Sequence, residues 1–192
     1  MSDYDKVILT DVDGVLLNWG YAFDIWMRDK GVGPVNPTEY AIDKMYDIPR
    51  EEGKLLVRLF NESASIGFLP PLRDAVQYVR KLHEEHGYVF HVITSLSNNH
   101  NAQTLRTMNL KKLFGETVFE RFIYLDTGAD KDEALAEYKD SGYIWIEDKV
   151  ENAIVGDKMG LESLVMEHGY NMDDPNFPLM KNWKDIYEYL EG

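Results

Sequence analysis

Asp11 and Asp13 stand one residue apart in VILTDVDGVLLNW (7–19), behind a run of Val, Ile and Leu and just ahead of Gly14. Carboxylates at the end of a buried strand are costly unless they bind something or do chemistry. An EF-hand calcium loop needs D-x-D-x-D-G and a glutamate at its twelfth position. Here Gly14 comes too early, and Val15 and Leu16 stand where ligands should be. Phosphoryl transfer fits better: one aspartate attacks phosphorus, and the second protonates the departing oxygen and later activates water. A small Gly14 would let backbone N–H groups approach the phosphate.

That chemistry needs more residues. Mg²⁺ is a hard cation that takes several oxygen ligands, and IWIEDKVEN supplies Glu147 and Asp148, with Asn152 four residues beyond. The phosphoryl oxygens need donors, which Thr94 and Ser95 offer as hydroxyls and Lys131 as a cation. Lys139 is a rival to Lys131. Lys131 is preferred because it opens a helix whose positive end would add to the site. A GxG at Gly31–Gly33 has no strand before it and lacks the wider dinucleotide pattern, so these glycines read as loop punctuation.

The elements that must carry these residues alternate. KVILT (6–10), GYVFHVITS (87–95), RFIYLD (121–126), YIWIED (143–148) and LESLVM (161–166) read as short buried strands. A helix is predicted over Pro71–His86, where Leu72, Ala75, Val76, Val79 and Leu82 recur at helical spacing. DKDEALAEYKDSG reads as a short helix closed by Gly142, and NWKDIYEYLEG as a closing helix with Trp183, Ile186, Tyr187 and Leu190 inward. Alternating strands and helices imply a doubly wound α/β fold around a parallel sheet, with ligands at the carboxyl ends of its strands. Asp11, Thr94 and Asp148 all fall at such ends.

Residues 18–70 break the rhythm. They read as an amphipathic helix stopped by Gly31 and Gly33, then helical pieces separated by Pro37 and Pro49. The expected organisation is a core of residues 1–17 and 71–192 with a small helical cap of residues 18–70. Tyr21, Phe23, Trp26, Tyr40, Tyr46, Phe60 and Phe68 are expected in the cap core. Arg50 and Arg73 are expected as solvated charges, with contact to a second anionic group as the alternative, and His91 as a structural residue in its strand.

The 192 residues suffice for one domain with a real core. A net charge of −14 disfavours nucleic-acid polymers and anionic membranes as partners. No apolar run approaches the ~20 residues of a membrane span, and MSDYDK lacks a signal-peptide pattern. With no cysteines, thiolate metal sites are excluded, and a cytoplasmic location is the simplest reading.

Taken in order, DVDGV, HVITS, Lys131 in GADKDEAL and WIEDKVEN resemble the four motifs of the haloacid dehalogenase (HAD) superfamily, over Lys6 to about Asn171. The resemblance implies a HAD-like, Rossmann-type core. It makes Asp11 the nucleophile and Asp13 the general acid/base, with Thr94 and Lys131 on the phosphate. Mg²⁺ would be held by Asp11, Asp148 and the Asp13 backbone carbonyl. The fourth motif often reads GD or DD, so Glu147 departs from it and would ligate the metal directly or through water. Within the superfamily, Trp19 after DGVL, FLPPLRDAVQYVRKL, TSLSNN and GYNMDD…NWKDIYEYL are similar to 5'(3')-deoxyribonucleotidases, where an aromatic residue packs on the nucleoside. The resemblance implies a small-molecule phosphomonoester as substrate, a nucleoside monophosphate above all. A sugar-phosphate phosphatase and a non-catalytic binding protein are the alternatives, intact Asp11, Asp13, Lys131 and Asp148 counting against the second. A homodimer stays open.

Overall fold

The computed structural model describes residues 6–172 and 176–192. The MSDYD start, and Asp173 and Asp174 of the GYNMDD stretch, lie outside the described residues. In chain order the elements are β1 (Val7–Thr10), α1 (Trp19–Arg28), α2 (Ile42–Tyr46), α3 (Arg50–Asn61), α4 (Ala75–His86) and β2 (Val89–Ser95). There follow α5 (His100–Phe114), β3 (Phe119–Leu125), α6 (Asp132–Ala136), β4 (Ile144–Glu147), α7 (Val150–Lys158), β5 (Glu162–Met166), β6 (Leu179–Met180) and α8 (Trp183–Glu191). The six strands form one parallel sheet in the order β3-β2-β1-β4-β5-β6. The fold is therefore doubly wound α/β of the Rossmann type.

Successive side chains of a strand point to opposite faces, and the two faces bury different clusters. Ile8, Phe90, Val92, Ile144 and Ile146 pack with α4, α5 and α8 through residues such as Val79, Leu110 and Ile186. Val7, Leu9, Ile93 and Trp145 pack on the other face with Leu135 of α6 and Val155 of α7. Every core strand is covered on both sides, which is why these strands read as unbroken apolar runs. Trp183 is fully buried and its indole N–H donates to the Val15 carbonyl at 2.8 Å, pinning α8 to the turn behind Asp13.

The chain reverses direction across the sheet between β1 and β4: β2 and β3 lie to one side, β5 and β6 to the other. The carboxyl ends of β1 and β4 thus flank the crevice where doubly wound folds bind ligands. Residues 18–70 leave and return beside each other. Asn18 N–H donates to Pro70 O at 2.9 Å and Leu72 N–H to Leu16 O at 2.8 Å. The apolar cluster on the α4 side continues without a break into this insertion, through Phe23, Met27, Tyr46 and Phe60.

Several expectations shift. The helix of the Lys131 segment ends at Ala136, because the chain then turns through Asp140 and Gly142, both with positive φ (60° and 70°). The helix expected from Pro71 starts at Ala75. The short β6 carries no periodic signal in the sequence. In the insertion Phe23, Tyr46 and Phe60 are buried, whereas Tyr21, Tyr40 and Phe68 are exposed and are not core. Arg73 is structural rather than a free surface charge: its guanidinium donates to the Glu167 carbonyl at 2.6 Å and to that of Lys181. His91 holds Tyr138 and Glu120 from within β2. Among the described residues no helix is long and apolar enough to cross a membrane.

Candidate active site

The carboxyl ends of β1, β2 and β4 bring the sequence-predicted residues together. Asp11 N–H donates to Ile146 O at 2.9 Å, so the first residue after β1 is locked to β4. Its carboxylate meets Lys131 Nζ at 2.9 Å, and the same ammonium reaches Glu147 Oε2 at 2.7 Å. Lys131, Glu147 and Asp148 are buried with it. Lys139 is exposed, which decides between the two lysines. What Lys131 brings to the cluster is its own charge, because α6 spans only five residues and offers little helix dipole.

Asp11, Glu147 and Asp148 each present an oxygen within 4.8 Å of the others, a spacing suited to a metal ion. Their hydrogen bonding differs. Glu147 accepts from Lys131 and Asn152 at one oxygen and from the backbone N–H groups of Asp148 and Lys149 at the other. Asp148 accepts from the Tyr170 hydroxyl, and its backbone carbonyl from Asn171 at 2.8 Å. Among the described residues Asp11 Oδ1, which is buried, has no hydrogen-bond partner, and neither has Thr94 Oγ1. A buried carboxylate oxygen without a partner is costly, and a hard divalent cation satisfies it. These residues fit Mg²⁺.

The electrostatics agree. Burial pushes Asp11 up to about 6, against the pull of Lys131, and Glu147 adds to the rise. Burial likewise pushes Asp148 up to about 6, with Asp11 contributing. Desolvation would lower Lys131, but Asp11 and Glu147 outweigh it and hold the ammonium charged. With one ammonium among three carboxylates, the cluster retains negative charge that a cation relieves.

Asp13 takes a different partner. Arg106, from α5 and fully buried, donates to its two oxygens at 2.7 and 3.4 Å. Burial raises Asp13 while Arg106 draws it back. Gly14 is also required for a reason the sequence does not show. Its N–H is taken by Leu17 O at 3.0 Å, so it is not free for phosphate. Its φ is +75°, and a Cβ there would collide with the Asp148 carboxylate. Ser95 lines the cavity with its hydroxyl donating to Ala129 O at 2.8 Å. Trp19 opens α1, stacks on Phe23 at 4.6 Å and donates its indole N–H to Asn61 at 2.9 Å.

Together these residues floor a cavity of about 620 Å³, walled by α1, the Tyr40–Met45 segment and one face of α3. Sequence reasoning missed Arg106, His168 and Tyr170. His168 binds the Gly14 carbonyl at 2.6 Å and stacks on Tyr170, so this pair braces Gly14 and Asp148. Arg106 left one trace: it lies four residues from both Ala102 and Leu110, on the apolar face of α5, where an arginine implies a buried acid.

A haloacid dehalogenase-like family hydrolase from Streptococcus pneumoniae superposes with a TM-score of 0.67 at 14% identity, over 97% of this chain and 98% of that one. The chain has the haloacid dehalogenase fold. YfnB from Bacillus subtilis, a HAD-hydrolase solved with bound magnesium, superposes with a TM-score of 0.62 at 15% identity, over 96% and 98% of the two chains. An uncharacterised 32.4 kDa protein from the gp30–rIII intergenic region of Enterobacteria phage T4 is 26% identical over 144 residues, 69% of this chain. The match takes in 49% of the phage protein, so the chain spans about half the length of that relative. No family model matches the chain.

Proposed function

We propose that this HAD-fold protein is a Mg²⁺-dependent phosphomonoester hydrolase whose nucleophile is Asp11, and that its substrate is a nucleoside monophosphate. The observation that carries the reading is the buried Asp11–Glu147–Asp148 cluster with Lys131 beside it and an unpartnered Thr94 hydroxyl at the next strand end. Asp11, Asp148 and the Asp13 carbonyl would hold the metal. Glu147, whose oxygens already accept four hydrogen bonds, would add its charge and fix Lys131. Bound Mg²⁺ supplies charge neutralisation at the phosphoryl oxygens.

The chain's own residues do the rest. Thr94 Oγ1 and Lys131 Nζ hold the phosphoryl oxygens. An Asp11 carboxylate oxygen attacks phosphorus, the P–O ester bond breaks, and Asp13 gives its proton to the departing alkoxide oxygen. Asp13 then takes a proton from water as that water attacks the aspartyl-phosphate, releasing inorganic phosphate and restoring Asp11. Halide displacement on this fold has no use for such an acid/base at Asp13. Residues 18–70 serve as a cap that excludes bulk water, with Trp19 against the nucleoside.

The test is phosphate release from mononucleotides and sugar phosphates, with and without Mg²⁺, using Asp11→Asn as control. Mg²⁺-dependent release from mononucleotides, abolished in Asp11→Asn, is expected. Release from sugar phosphates alone rejects the nucleotide assignment, and activity surviving Asp11→Asn rejects the nucleophile.

A further inference from the structure

The wall opposite the acidic floor carries its own charge pattern. Arg50, Lys54 and Arg58 of α3 line the same cavity as Asp11, spaced i, i+4 and i+8, with Asn61 completing the stripe toward the floor. At 1.5 Å rise per residue the three cations span about 12 Å. Glu51 and Glu52, the acids of the same helix, do not line the cavity.

The local physics disfavours this arrangement unless it serves something. Like charges four residues apart on a helix repel, and the stripe contains two such pairs in succession. Arg50 is also the first residue of α3, where a positive charge opposes the helix dipole. Compensation is thin. Arg50 has no ion pair within 4 Å among the described residues, Lys54 meets only the exposed Glu51 at 2.8 Å, and Arg58 reaches Asp126 at a loose 3.5 Å. Asp43 also lines this wall, its backbone packed against Gly53. A chain with a net charge of −14 has acids to spare, yet the two that pair with this face, Glu51 and Asp126, do so from outside the cavity lining.

Resting on the phosphomonoester reading above, we propose that the Arg50–Lys54–Arg58 face binds a second phosphate, and that the substrate is a small nucleotide bearing two phosphate groups. One phosphate meets Asp11, Thr94 and Lys131. The other meets the cationic face of α3. Trp19, Ile42, Met45 and Val57 supply apolar wall for the body between them.

Rates on thymidine 3',5'-bisphosphate and on the thymidine 5'- and 3'-monophosphates test this. The bisphosphate is expected to have at least tenfold higher kcat/KM at low ionic strength, a preference that shrinks with added salt. An Arg50→Ala/Lys54→Ala double variant is expected to cut that ratio at least tenfold, while Arg50→Lys retains it. These side chains are exposed, so folding is not at stake. Equal rates on mono- and bisphosphate, or an unchanged ratio in the double variant, overturn the proposal. So does a preference for a 5'-phosphorylated oligothymidylate over the small bisphosphate. Preference for fructose 1,6-bisphosphate keeps the second-phosphate site but overturns the nucleotide class.

Calorimetry on Asp11→Asn separates this proposal from the hydrolase reading. Tenfold tighter binding of thymidine bisphosphate than monophosphate, lost in the added double variant, supports the site even if no substrate turns over. Equal affinities overturn it.

Discussion

The floor and the wall of the cavity are built on opposite terms. On the floor the charged groups are tied to others and, the half-buried Asp13 apart, buried: Lys131 to Asp11 and Glu147, Arg106 to Asp13, Tyr170 and Asn171 to Asp148. On the wall Arg50, Lys54 and Arg58 stand exposed with little to hold them. A buried, interlocked group has one geometry, as bond-making at phosphorus demands. An exposed cation on a helix face adapts to what it meets. The floor is suited to fixing the reaction, and the wall to choosing the reactant.

That contrast is broken most severely at Gly14. Gly14→Ala adds a Cβ into the Asp148 carboxylate at a left-handed φ of +75°. Hydrolysis is expected to fall by about 100-fold or more, the scale of a 1 Å misplacement at a reacting centre. Steady-state kinetics check it, and near-wild-type activity would mean that the floor tolerates movement.

Next comes Arg106→Met, which strands Asp13. Breaking a buried pair costs about 3–5 kcal/mol, and the lower end applies because the Asp13 side chain keeps 23% exposure. Arg106 is the main influence holding Asp13 down against burial. Without it the folded value rises further above the unfolded one. The stability deficit is then full at neutral pH and shrinks as pH falls through the raised value and Asp13 takes up a proton. Urea melts at two pH values measure it, and a pH-independent deficit would contradict the pairing.

The smallest effect belongs to the wall. Trp19→Phe keeps the stack on Phe23 but loses the hydrogen bond to Asn61, a loss of about 1 kcal/mol. A change below tenfold in KM for mononucleotides with little change in kcat is expected. A kcat loss as large as that of Gly14→Ala would place Trp19 with the floor.

The sheet and its acidic ends were legible because two-sided burial leaves uninterrupted apolar runs, and an acid that stops such a run is conspicuous. Asp11 and Asp148 could be placed from that alone, and Thr94 from its place after an apolar strand in step with Asp11. Arg106 could not be paired with Asp13, since the two are 93 residues apart and only the packing of α5 against the turn after β1 brings them together. The length of α6 was overread because Asp140 takes a left-handed conformation that its side chain does not announce. Gly14 was recognised as necessary but its tightest constraint was not, the Asp148 carboxylate being invisible until β4 lies beside β1. The stripe on α3 was hidden by its acids, which make the segment look evenly charged until the helix turns Glu51 and Glu52 away from the cavity.

The two hydrogen bonds that join Asn18 to Pro70 and Leu16 to Leu72 bring the ends of the wall-bearing segment to adjacent points of the chain. A segment whose two ends meet at one place is an insertion in the chain, even though its apolar face shares the cluster beneath it. It can lengthen, shorten or be traded for another without any strand changing its neighbour, so one set of reacting groups can be inherited intact while the molecules admitted to it are renegotiated.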